Sequence, residues 1–143
     1  MAEVTLLKNT RRQSVISAVG TGTFHCNLTL LLATVQSNST TTTTQTLDIP
    51  NAQCSITDVT FSVTGNTTVT RNNISYLILT EGQTDFAFSQ RYGYVLNPTT
   101  DLGSNANLQI NFGSNTGTVI ITLTKGPGFN DPDLQLLQDY ERP

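Results

Sequence analysis

The sequence predicts an all-β protein, an antiparallel β-sandwich of jelly-roll-like or immunoglobulin-like type with roughly eight to nine strands. Three observations predict it. Apolar and polar residues alternate with period two through most of the chain. Turn signals recur at the spacing expected of short strands. No stretch before residue 130 shows a helical period, which excludes a parallel α/β fold.

Residues 1–12 read as an arm. Val4 and Leu6 share a face, and the stretch ends in Lys8, Arg11 and Arg12. Ser14 to Val19 reads as a short strand, broken by Gly20-Thr21-Gly22. Phe24 to Val35 follows as a longer strand, with Cys26, Leu28, Leu30 and Leu32 on one side. Ser37 to Thr44 is low in complexity and is expected to be an exposed loop. Gln45 to Ile49 returns as a strand, and Pro50-Asn51 turns the chain.

Cys54 and Ile56 share one parity, whereas Val59, Phe61 and Val63 share the other. This one-residue slip predicts a β-bulge near Thr57 and Asp58. Gly65-Asn66 predicts a hairpin between Val63 and Val69. Asn72-Asn73 interrupts again before the strand Ile74 to Thr80, and Glu81-Gly82 turns the chain. Thr84 to Leu96 reads as one long strand or two. Leu108, Ile110 and Phe112 alternate with amides, Gly113 to Gly117 reads as a turn, and Thr118 to Lys125 is the last strand. The β domain therefore spans 13–125.

Residues 126–143 differ in kind. Gly126-Pro127-Gly128 is a hinge, and Asp131-Pro132 resembles a helix N-cap with proline at the first position. Leu134, Leu137 and Tyr140 recur every three residues. A helix of about ten residues is marginal alone in water, so the tail is expected to dock or stay extended.

Composition narrows the function. Charged residues are 12% of the chain and the net charge is −3. A general nucleic-acid binder needs a basic field, so none is expected. Neutral polar residues suit strand faces that meet water or other subunits, where buried charge is costly. The longest apolar run, Leu28 to Val35, is too short for a membrane span of about 20 residues. The start shows no secretory pattern, so synthesis in a cytosol and a soluble protein are expected. Cys26 and Cys54 are expected as buried thiols that act as small hydrophobes; a disulfide stays open if their strands are neighbours.

No catalytic apparatus is legible, and no enzyme is expected. His25 is the sole histidine, and Cys26 points to the opposite side of the same strand. The acids Asp48, Asp58, Glu81, Asp85 and Asp101 are scattered singly, without zinc or calcium-loop spacing. No cofactor or metal is expected. Arg91, Tyr92 and Tyr94 form a candidate platform for a sugar or peptide. The termini carry opposite charge: Lys8, Arg11 and Arg12 against Asp131, Asp133, Asp139 and Glu141. With Leu134, Leu136, Leu137 and Tyr140, they suggest a clasp between neighbouring copies.

The chain opens MAEVTLLKNTRRQSVISAVGTGT, continues as a Thr/Asn-rich β domain and closes TLTKGPGFNDPDLQLLQDYERP. In length, style and ends it resembles small virion structural proteins of tailed bacteriophages, particularly marine phages of cyanobacteria, and among them the capsid decoration or cement proteins. The resemblance implies a β-rich protein without enzymatic activity, made in the host cytoplasm and placed on the capsid surface. It implies the major capsid protein and further copies of the chain, as a dimer or trimer, as partners. It also implies that the arm (Val4, Leu6, Lys8, Arg11, Arg12) and the tail (Leu134, Leu136, Leu137, Tyr140) are the bridging parts. The alternatives are another virion part, in the tail, fibre or head-tail joint, and a carbohydrate- or ligand-binding module.

Overall fold

The computed structural model describes residues 2–36, 42–47, 54–71, 74–87, 108–125 and 129–130. These residues form an all-β protein built on one eight-stranded sheet, with two small two-stranded ribbons. The sheet strands are β1 (Ala2–Glu3), β2 (Thr5–Asn9), β3 (Gln13–Cys26), β7 (Cys54–Val63), β8 (Thr67–Arg71), β9 (Ile74–Leu79), β10 (Gly82–Ala87) and β11 (Leu108–Lys125). The ribbons pair β4 (Thr34–Gln36) with β5 (Thr42–Thr44), and β6 (Thr46–Leu47) with β12 (Phe129–Asn130).

The centre of the sheet is simpler than its strand count. β3 and β11 are antiparallel along nearly their whole length. β7 pairs with the second half of β11, and β8 with the first half. β10 continues this on β7 and β9 on β8. The sheet is thus four long antiparallel runs: β3, β11, β7 with β8, and β9 with β10.

All four runs are interrupted at one level. Gly117 of β11 lies opposite Gly20 of β3 on one side and Val63 on the other, and Val63 lies opposite Gly82. Gly22 and Gly113 fall where the β3–β11 register shifts, and Gly65 lies between β7 and β8. Every glycine among the described residues is on this line. Hydroxyls and amides stitch it. Thr64 N–H donates to the Thr116 carbonyl at 2.9 Å, and Thr116 N–H donates to Thr64 Oγ1 at 2.9 Å. Thr21 Oγ1 donates to the Gly113 carbonyl at 3.3 Å, and Gly113 N–H donates to Asn111 Oδ1 at 2.8 Å.

Several sequence expectations change here, for one reason. A glycine marks a break in the side-chain pattern but not whether pairing resumes beyond it. Gly20-Thr21-Gly22 does not end a strand, because β3 continues to Cys26. Gly113 to Gly117 is an excursion within β11 rather than a turn between strands. Gly65-Asn66 makes no hairpin: β7 and β8 run on in one direction along β11. The hairpin is instead β8–β9, which closes across Arg71 and Ile74.

Other differences have local causes. The strand expected from Phe24 to Val35 stops at Cys26, and Leu28–Leu31 forms a 3-10 turn. Leucine lacks the β-branching that favours strands, and a run apolar on both parities selects no face. Thr42–Thr44, expected in a loop, forms β5. The arm is not free either, since residues 2–9 supply β1 and β2. The bulge expected near Thr57 is present. Thr122 lies opposite Asp58 and Leu123 opposite Ile56, which leaves Thr57 as the extra residue. Its Oγ1 donates to the Thr122 carbonyl at 3.1 Å. Beyond Ala87, the expected strand toward Leu96 lies outside the described residues, as do the 126–128 hinge and the tail helix.

The slip at Thr57 and the excursion in β11 keep one face apolar along each run. Val59, Ile121 and Ile16 form one buried rung, and Phe61, Val119 and Ala18 the next. Across the glycine line, Ile110 lies between Phe24 and Val69. Phe24 and Phe112 meet edge to face, with centroids 5.6 Å apart. Residues from both sides of the line belong to a single core cluster. Each fully buried aliphatic side chain contributes roughly 1.5–3 kcal/mol.

Two glycines on the line separate two causes of strain. A Cβ at Gly117 would stand 2.5 Å from the Ser62 carbonyl oxygen and 2.8 Å from Val63 Cγ1. At Gly22 a Cβ would meet nothing within 4 Å, but φ is +85°. Gly117→Ala is expected to cost about 2–3 kcal/mol through overpacking, and Gly117→Asn no less. Gly22→Ala is expected to cost about 1–2 kcal/mol, and Gly22→Asn clearly less, because asparagine tolerates positive φ. Urea unfolding of the four variants checks the contrast.

Candidate binding surfaces

Two surfaces carry the chemistry that the described residues offer. The first is the outer face of the sheet centre. Odd residues of β3, even residues of β11 from Thr118 to Thr122 and even residues of β7 from Asp58 to Ser62 lie on the side opposite the core residues Ile16, Ala18, Val59, Phe61, Val119 and Ile121. Val19, Thr118, Ser62 and Gln83 form one rung, and Ser17, Ile120, Thr60 and Asp85 the next. Val15, Thr122, Asp58 and Ala87 form a third. Val19 is 63% exposed. These three rungs carry two carboxylates and no cation.

A shallow groove of about 380 Å³ runs here between β7, β10 and β11, lined by Thr60, Ser62, Gln83, Asp85, Thr118 and Ile120, among others. Its polar groups hold one another in place. Thr60 Oγ1 donates to Asp85 Oδ1 at 2.7 Å, and Gln83 Nε2 donates to Ser62 Oγ at 3.3 Å. Asp58 differs: its Oδ1 is buried and accepts no hydrogen bond. A buried acceptor left without a donor costs about 1–3 kcal/mol.

The second surface is the corner where β2 turns into β3. Thr10 N–H donates to the Gln13 carbonyl at 2.8 Å and closes the turn. A register shift between Leu6 and Lys8 makes Leu7 a bulged residue on this edge strand, and it is 54% exposed. Lys8, Arg11 and Arg12 are exposed around it.

Behind the corner lies a polar clamp. Lys125, at the end of β11, is half-buried. Its Nζ donates to Asn9 Oδ1 at 2.8 Å, to the Thr10 carbonyl at 2.7 Å and to Gln45 Oε1 at 3.0 Å. Its backbone N–H donates to the Arg12 carbonyl at 2.8 Å. The ammonium also stands 5.6 Å from the centre of the Phe129 ring. All three acceptors are neutral, so burial dominates: it pushes the amine down from 10.5 to about 8, against the raising effect of Cys54. Gln45 is 3% exposed and uses both ends of its amide. Nε2 donates to the Arg11 carbonyl at 2.9 Å, while Oε1 accepts Ala33 N–H at 3.0 Å.

The residues singled out from sequence fall in different places. Val4 is buried and Leu6 packs against the core, so both serve this molecule's own interior. Lys8, Arg11 and Arg12 are exposed on or beside the β2–β3 turn. Leu134, Leu136, Leu137 and Tyr140 lie outside the described residues, as do Arg91, Tyr92 and Tyr94. His25 is half-buried on β3, and Cys26 faces the core on the opposite parity. Cys26 and Cys54 are buried thiols in no disulfide. Among the described residues no group of three or more His, Cys, Asp or Glu could hold a metal ion, and no helix is long and apolar enough to cross a membrane.

Sequence reading missed the clamp. Lys125 ends an apolar strand and Gln45 stands among threonines, and neither pattern announces a partner 80 or more residues away. Leu7 was missed because the bulge that turns it outward depends on pairing with β3.

No protein-family model, no curated protein and no solved structure matches the chain.

The clamp gives a prediction with a definite sign. Between about pH 8 and 10.5 the unfolded chain keeps a proton on Lys125 that the folded chain has lost. Stability therefore rises with pH through that window, and urea midpoints at pH 7, 9 and 10.5 should show it. Lys125→Met should abolish this rise while costing under about 1 kcal/mol at pH 7. Asn9 Oδ1 keeps Ser14 Oγ as a donor at 2.7 Å, and Gln45 Oε1 keeps Ala33 N–H. Gln45→Leu strands the buried Ala33 N–H and should cost about 2–3 kcal/mol.

Proposed function

We propose that this chain is a non-enzymatic structural protein that docks onto a protein lattice by the outer face of its sheet, in the role of a phage capsid decoration protein. The observation that carries the proposal is the chemistry of that face. Val15, Val19, Thr118, Ile120, Thr60 and Ser62 form a half-apolar strip on paired strands, and the two carboxylates of the face, Asp58 and Asp85, lie on β7 and β10. The uncharged strip sheds little hydration on docking, whereas a wholly charged face would lose heavily. The resemblance in length and ends to virion proteins directs the choice of lattice, with the major capsid protein as partner.

The architecture proposed with it is a two-layer sandwich made by folding one sheet over its glycine line. The register supports this. β3 is antiparallel to β2 before the line and parallel to β1 beyond it. Only Val4 separates β1 from β2, too little chain for a reversal. The reversal then falls in β3, and the arm spans the edges of both layers. Val4 N–H donates to the His25 carbonyl at 3.0 Å in the second layer.

A ligand-binding module is the second reading, and the groove favours it. Asp85, Gln83 and the threonine and serine hydroxyls suit a neutral polyhydroxylated ligand, with Ile120 beneath.

Cosedimentation with purified heads of tailed cyanobacterial phages tests the proposal. The chain should bind saturably, and Val19→Arg with Ser62→Arg, two exposed positions that flank Thr118, should weaken binding at least ten-fold. Failure to bind any head, or binding indifferent to the double change, contradicts it. Saturable binding of a glycan that the double change abolishes would move the function to the groove.

A further inference from the structure

We infer that the β2–β3 corner is the docking site for the segment Asp131–Glu141 of a second copy of this chain, two copies exchanging these segments about a two-fold axis. The inference stands whether or not the sheet face binds a capsid. Charge complementarity is the first argument. The corner presents Lys8, Arg11 and Arg12 around the outward-turned Leu7. The segment carries Asp131, Asp133, Asp139 and Glu141 around Leu134, Leu136, Leu137 and Tyr140. The corner thus offers cations around one apolar contact, and the segment offers anions around several.

The second argument is where the segment starts. Phe129 is held beside the corner, by the Lys125 ammonium and by pairing with Leu47. Lys125 in turn is bonded to Asn9, Thr10 and Arg12 of the corner. Donor and acceptor therefore occupy one corner of the molecule. Two copies that meet there about a two-fold axis each give one segment and receive one, and the assembly closes at two.

The third argument concerns length. Residues 131–141 are eleven, and a chain of that length can reach on the order of 35 Å, enough to cross to a neighbour.

Sedimentation equilibrium at low salt tests the exchange. The full chain should be a dimer that weakens with salt, and a chain ending at Asn130 should be a monomer. Lys8→Glu with Arg11→Glu and Arg12→Glu should raise the dimer Kd about ten-fold. Reversing Asp131, Asp133, Asp139 and Glu141 to lysine should do the same. Combining both sets should restore the Kd to within three-fold. Thermal melts of Lys8→Glu with Arg12→Glu alone should match the parent, since both side chains are exposed. A monomeric full chain overturns the inference, including one whose own segment covers its own corner. So does a dimer that neither reversal moves, or two reversals that do not rescue each other.

Discussion

One constraint organises this molecule: four long strand runs are interrupted at the same level. A paired sheet twists but does not crease, because side chains and ladder hydrogen bonds hold neighbouring strands together. A crease is possible only where each strand gives way at matching positions. Gly20, Gly22, Gly113, Gly117, Gly65 and Gly82 supply that line. Two of these positions show the two demands. Gly22 must take positive φ, whereas Gly117 must leave room for the Ser62 carbonyl. The threonine and asparagine side chains around the line then take up the backbone groups that the ladder drops there.

The clamp at Lys125 is the second constraint, and it acts on the periphery. It joins the β2–β3 turn, the segment between β5 and β6, and the entry to β12. None of these is long enough to hold its place by burial alone. A cation with neutral acceptors is a costly way to join them, as its lowered proton affinity records. The gain is geometric. One flexible side chain satisfies three oxygens from two separate segments, and fixes where the C-terminal part of the chain leaves the sheet.

How much of this was legible in the sequence depended on how local the cause was. The bulge at Thr57 was legible because a parity slip between Ile56 and Val59 is written in consecutive residues. The all-β class was legible for the same reason. The glycine line was not, since it is a register relation between Gly20, Val63, Gly82 and Gly117, whose separations exceed any local window. Each glycine alone reads as an end. Gly65-Asn66 is the sharpest case: a tight-turn dipeptide that serves a continuing run. Of the candidate site residues, the cations at 8, 11 and 12 are exposed on or beside the β2–β3 turn. Val4 and Leu6 were misjudged as free arm because hydrophobic residues at a terminus look alike whether they cover a partner or complete the molecule's own edge.

The functional reading needs a closed two-layer body whose outer face is left for a partner. That rests on β3 reversing relative to the arm. Interstrand proton contacts by nuclear magnetic resonance test it most directly. The account predicts two sets in the same molecule: Thr5 with Ser17 in antiparallel register, and Glu3 with His25 in parallel register. Finding the first set alone, with Glu3 away from His25, would leave the sheet open and contradict the account.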